Sequence, residues 1–165
     1  MKASLALFAL LLSLASPALF ADDLIDATDP DAVLNVARGF GSARLSEDGI
    51  GDPLISGRIK GEKYKLFFYM CEDNKNCKDV QFWSGWTGTD VTLQDVNRWN
   101  NEKRFGKAYI DDEGDPILTY VINLNGGVSY ENLEDSFDWW QTMLSSFVTE
   151  VLESDSSSNP EVEAD

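Results

Sequence analysis

The sequence predicts an α+β fold, an antiparallel sheet with helices packed on one face. Two observations carry this. Runs rich in β-branched and aromatic residues follow one another across short Gly/Pro/Asp turns, so successive strands pair as hairpins. Three helix signals stand before, between and after them, giving the order α-β(3-4)-α-β(2)-α. The last helix carries Leu133, Phe137, Trp140, Leu144, Phe147 and Val151 at spacings of four, three, four, three and four, an apolar stripe that must pack on a sheet.

The first helix opens at Asp29, a natural N-cap, with Pro30 at its first position, where a missing amide costs nothing. Ala32, Val33, Leu34, Val36 and Ala37 give it an apolar side, and Gly39-Phe40-Gly41 ends it. Residues 22–28 before it read as a loose segment. Two β-rich runs, 42–45 and 54–60, flank a glycine-rich turn closed by Pro53. In the third run, 63–71, Tyr64, Leu66, Phe68 and Met70 alternate with Lys63, Lys65, Phe67 and Tyr69, one face apolar and the other mixed. A fourth run, 80–86, follows the polar stretch between Cys71 and Cys77.

The second half repeats the logic. Thr92 caps a helix with Asp95 in its first turn, and that helix is expected to stop near Phe105-Gly106. Residues 107–111 and 117–124 then form a hairpin across Asp112-Glu113-Gly114-Asp115-Pro116. Gly126-Gly127 turns the chain into the last helix, capped by Ser129 and stapled by Val128 onto Leu133. A phosphate cradle at that glycine pair is the weaker reading. No internal repeat of useful length is apparent.

The stretch NRWNNEKRFGKAYIDDEGDP, followed by NLNGGVSYENL, resembles the signature of the YbjN-type family over residues 31–152. The resemblance implies a bacterial sensory transduction regulator with a fold similar to type III secretion chaperones, whose relatives commonly pair as dimers. One departure is visible: Val121 stands on the second hairpin strand where the family pattern suggests an acidic residue.

At 165 residues the chain suits one domain at 29–153, and such a domain buries about two thirds of its unfolded surface. Met1-Lys2, an apolar run and small residues up to Ala21 have the layout of a signal peptide over residues 1–21, cleaved after Ala21 or, as a competing site, after Ala18. An uncleaved anchor is the alternative; the apolar run before Pro17 is shorter than the ~20 residues a span requires. The expected location is exported and periplasmic. The absence of cysteine near the cleavage site argues against lipidation there.

The chain holds 13 Lys+Arg against 29 Asp+Glu and no histidine. Such a balance repels phosphate backbones and anionic membranes, which argues against a nucleic-acid partner. Without histidine the commonest general base is missing, and no G-x-S-x-G, P-loop or dinucleotide fingerprint is present. The chain is therefore not expected to be an enzyme or to carry a cofactor or metal. Two acidic turns, 48–52 and 111–115, offer calcium ligands only at spacings foreign to the EF-hand. Cys71 and Cys77, close together in an exported chain, read as a structural disulfide, with two buried free thiols as the alternative.

The candidate partner-binding group is Arg98, Trp99, Asn100, Asn101, Lys103, Arg104 and Lys107, a basic cluster in an acidic chain, with Trp139, which lies off the stripe and is expected to be partly exposed. Charge balance on a solvated helix is the competing explanation of the cluster. The expected function is an exported protein-binding or regulatory module, with chaperone-like activity among the readings. The alternative is a sensor holding a small molecule against the aromatic sheet face. Net repulsion predicts a monomer at low salt and at most a weak dimer. Residues 154–165, with Asp155, Glu161, Glu163, Asp165 and no basic residue, read as a disordered acidic tail able to engage the basic cluster.

Overall fold

The structure, a computed structural model, describes residues 24–153; the expected signal peptide and acidic tail lie outside these residues. The elements are α1 (Pro30–Phe40), β1 (Gly41–Glu47), β2 (Pro53–Ile59), β3 (Glu62–Tyr69), β4 (Asp79–Gly85), α2 (Leu93–Glu102), β5 (Lys107–Ile110), β6 (Pro116–Asn123) and α3 (Tyr130–Phe147), the last running on into a π-helical turn, Val148–Leu152. The strands form one antiparallel sheet in the order β1-β2-β3-β4-β6-β5. No described helix is long and apolar enough to cross a membrane.

Each helix begins where its side chains replace missing backbone partners. Asp29 accepts from the amides of Asp31 and Ala32 at 3.1 Å. Thr92 and Asp95 form a reciprocal capping box, and Ser129 accepts from Asn132 N–H at 3.2 Å. Such caps contribute about 1 kcal/mol each.

Strand alternation sends Ile55, Leu66, Phe82 and Tyr120 to one face in a single cross-strand row. All three helices lie against that face. On Phe82 sit Phe137, edge-on at 4.8 Å between centroids, and Trp140, stacked at 5.0 Å. Phe40 brings α1 onto Phe137 at 5.3 Å, while Trp99 of α2 and Trp86 both meet Phe147. The whole predicted stripe of α3 is buried. Aromatic packing of this kind adds about 0.5–1.5 kcal/mol per pair beyond area burial. The opposite face carries the row Arg44, Ser56, Lys65, Trp83, Thr119 and Lys107, and no described helix covers it.

The hairpins β1–β2 and β5–β6 close with one turn used twice, Asp48-Gly49-Ile50-Gly51-Asp52-Pro53 and Asp111-Asp112-Glu113-Gly114-Asp115-Pro116, both D-x-x-G-D-P. In each, the first carboxylate accepts from the amides two and four residues on, at 2.9–3.0 Å. Gly51 (φ 92°) and Gly114 (φ 89°) take left-handed conformations that a side chain would strain.

Four expectations need correction. The segment before α1 is not loose: Ile25 pairs with Val128 as a β-bridge, and Ala27 is fully buried. Met70 does not share the apolar face of β3; the strand ends at Tyr69, and Met70, at φ 56°, turns outward into the disulfide loop. Trp86 lies just past the end of β4 and packs on Phe147. Helix α2 stops at Glu102, short of Gly106, because Lys103 adopts an extended conformation that lets Phe105 fold back toward α3.

Candidate functional site

Where α2 ends and the chain folds back, a cleft of about 240 Å³ opens between the 103–105 joint and α3. From α3 it takes Trp139, Thr142, Met143 and Ser146, one helical face at i, i+3, i+4 and i+7; from the other side come Trp99, Lys103, Arg104 and Phe105. Trp99 and Met143 are buried and form an apolar floor. The Phe105 and Trp139 rings approach to 4.6 Å at 51°, and Trp139 remains 41% exposed, an aromatic wall open to solvent. The Trp99 indole N–H is buried without a hydrogen-bond partner among the described residues.

The rim is cationic. Lys103 Nζ lies 5.0 Å from the Trp99 ring centroid and donates to Glu150 at 2.7 Å. That hydrogen bond, followed by one from Ser146, holds the Glu150 carboxyl below the usual glutamate range. Arg104 sits over Phe105 at 5.1 Å and makes no ion pair with a described carboxylate. The cleft thus offers an apolar floor, aromatic walls and two cations, one of them already on a carboxylate.

Of the eight residues singled out in the sequence, Trp99, Lys103, Arg104 and Trp139 line this cleft, Trp99 as floor and not as exposed anchor. The other four lie elsewhere. Asn100 has a structural task, donating to Ala108 C=O and accepting from Ala108 N–H, both at 2.9 Å. Arg98 is tied to Asp95 at 2.8 Å, whose carboxyl is held below its ordinary range first by the Thr92 hydroxyl. Asn101 is exposed on α2, and Lys107 lies on the uncovered sheet face, 4.9 Å from the Tyr109 ring. The basic cluster of the sequence is therefore dispersed in space. Phe105, Thr142, Met143 and Ser146 were not anticipated; Thr142, Met143 and Ser146 were readable as the helical neighbours of Trp139, whereas Phe105 depends on where α2 stops.

Elsewhere, Cys71 and Cys77 form a disulfide. Asn74 in its loop donates to Ile50 C=O at 3.0 Å and to Asp52 at 2.9 Å, tying that loop to the first hairpin turn. The first carboxylates of both acidic turns already serve backbone amides. Among the described residues, no group of three or more His, Cys, Asp or Glu could hold a metal ion. The apolar sheet face is filled: Tyr64, Leu66, Phe68 and Phe82 are buried, and Phe137 and Trp140 lie on Phe82.

Residues 29–153 match the model of a protein family described as "Putative bacterial sensory transduction regulator". A search of curated proteins found none that matches.

Proposed function

The chain belongs to the YbjN family, and from that membership together with the α2–α3 cleft we propose that it is a non-enzymatic, exported regulatory module that binds a partner protein. The carrying observation is the pairing of an apolar floor with a cationic rim in a strongly acidic molecule. A partner segment presenting an apolar side chain beside a carboxylate fits this arrangement. Its apolar group covers Trp139 and Phe105, and its carboxylate meets Arg104 or takes Lys103 from Glu150. Exchange at Lys103 costs little, because an exposed ion pair is worth about 0–1 kcal/mol. Affinity then comes from the aromatic wall. The Cys71–Cys77 bond fits an oxidising compartment, in line with export.

The rival reading, a small molecule held against the aromatic sheet face, has weaker support, since that face is occupied by the side chains of α3. Affinity capture with the wild-type protein and with Trp139→Ala and Arg104→Glu variants tests the proposal. The expected result is a saturable partner whose affinity falls at least about tenfold in each variant, the cost of losing ~1.4 kcal/mol. A partner retained equally by all three proteins overturns the assignment of the cleft.

A further inference from the structure

The uncovered sheet face has a charge opposite to that of the molecule. Arg44, Arg58, Lys63, Lys65 and Lys107 all point to it by strand register, and Asp79 is its one carboxylate among the strand residues. None of the five forms an ion pair with a described residue. Lys65 lies between two rings, 5.3 Å from Trp83 and 5.8 Å from Phe67. In the row Arg44–Ser56–Lys65–Trp83–Thr119–Lys107, strands ~4.8 Å apart place Lys65 about 10 Å from Arg44 and about 14 Å from Lys107. By contrast, two of the three cations on and just after α2, Arg98 and Lys103, are already neutralised by Asp95 and Glu150.

We propose that residues 154–165 of the chain itself lie across this face. Their chemistry is complementary. Glu161, Glu163 and Asp165 alternate with Val162 and Ala164, so an extended backbone turns three carboxylates to one side over about 13 Å, close to the gap between Lys65 and Lys107. The path is available. Lys103, four residues before β5, holds Glu150, so the chain leaves the described structure beside the β5 edge; the eight residues from Glu153 to Glu161 reach about 26 Å, enough to round that edge.

Competing occupants fare worse. A second copy would set one positive face on another. An acidic segment from elsewhere binds only at its free concentration, whereas a tethered tail is held at millimolar effective concentration.

Amide and indole NMR of the full protein tests this, comparing wild type with a Glu161→Gln, Glu163→Gln, Asp165→Asn variant. Neutralising the tail should shift Lys65, Trp83 and Lys107 while leaving Arg104 and Trp139 in place. Raising salt to ~0.5 M should shift the same face in wild type only, because the contact is screened there and already lost in the variant. A Lys65→Glu, Lys107→Glu variant should erase the difference. Shifts at Arg104 and Trp139 instead, or none outside the tail, overturn the proposal. So does a face that responds to an added 154–165 peptide but not to neutralising the tail, since it would then take acidic segments from outside. A cleft that fails its own test leaves this result unaffected.

Discussion

The chain builds one local unit twice: α1–β1–β2 at one edge of the sheet and α2–β5–β6 at the other, each a helix, a strand, a D-x-x-G-D-P turn and a strand. The turns match bond for bond, down to the amide of the first Asp donating to the carbonyl of the last at 2.9 and 3.0 Å. Their surroundings differ. Helix α1 passes directly into β1, whose outer edge is exposed. Between α2 and β5 lies the joint 103–106, and the amide of Asn100 covers the backbone of Ala108 as a neighbouring strand would. One edge is left open and the other is blunted, and the unit with the joint holds the cleft between Phe105 and Trp139. Turn chemistry is portable between sites; the functional geometry comes from what each turn's neighbours do.

The largest effect should come from removing the blunt edge. Asn100→Ala leaves a buried N–H and a buried C=O without partners, at about 1–3 kcal/mol each, so urea denaturation should report a loss of about 3 kcal/mol. Asn35, exposed on α1 with no such role, is the control, and Asn35→Ala should change stability by less than about 0.5 kcal/mol. Equal losses at the two positions would erase the contrast between the edges.

The first unit has its own support, the disulfide loop. A Cys71→Ala, Cys77→Ala double variant should lose about 2 kcal/mol by the chain-entropy argument. In hydrogen exchange the loss of protection should reach the 48–52 turn through Asn74 and stop short of the 111–115 turn. Exchange rising equally in both turns would show that the loop supports the sheet as a whole and not its first hairpin.

This division explains what could be read from the sequence. Helix caps, the α3 stripe and both hairpins depend on residues within a few positions of one another, and Asp29, Ser129 and the D-x-x-G-D-P turns stand where local chemistry put them. The family resemblance is likewise matched, over residues 29–153. The cleft was legible only in part: Trp139 declared itself by lying off the stripe, and Lys103 and Arg104 by charge. What escaped was non-local. Nothing near Ile25 signals its pairing with Val128 more than a hundred residues later. Asn100 looks like any exposed helical asparagine until β5 is placed beside it, and Trp99 reads as surface in a polar helix until Phe147 arrives.

The two turns can be compared directly. Asp111→Ala removes an acceptor of two amides and should cost about 1–2 kcal/mol. Asp48→Ala removes the same bonds but leaves Asn74 on Ile50 and Asp52, so its cost should be smaller by roughly half. Adding Asn74→Ala to Asp48→Ala should bring the two units level in thermal denaturation. If the Asp48 and Asp111 variants already match, the Asn74 bonds carry no weight in the turn.

The smallest effect concerns the cationic rim of the second unit's cleft. Glu150 is held below its ordinary range by Lys103, so the folded state binds its proton less readily than the unfolded chain does. The pair's contribution is therefore complete above the ordinary glutamate value of about 4.5 and is lost as pH falls through the lowered value in the folded protein. Because both side chains are partly exposed, the loss should stay below about 1 kcal/mol. Asp95 in the α2 cap is depressed too and titrates in acid, so stability alone cannot separate the two. The Trp139 indole resonance can: it should move below about pH 4.5 in wild type and in a Thr92→Ala variant, and stay still in Lys103→Ala. Movement that survives Lys103→Ala would assign the acid response to the cap, leaving the cleft without a pH-sensitive rim.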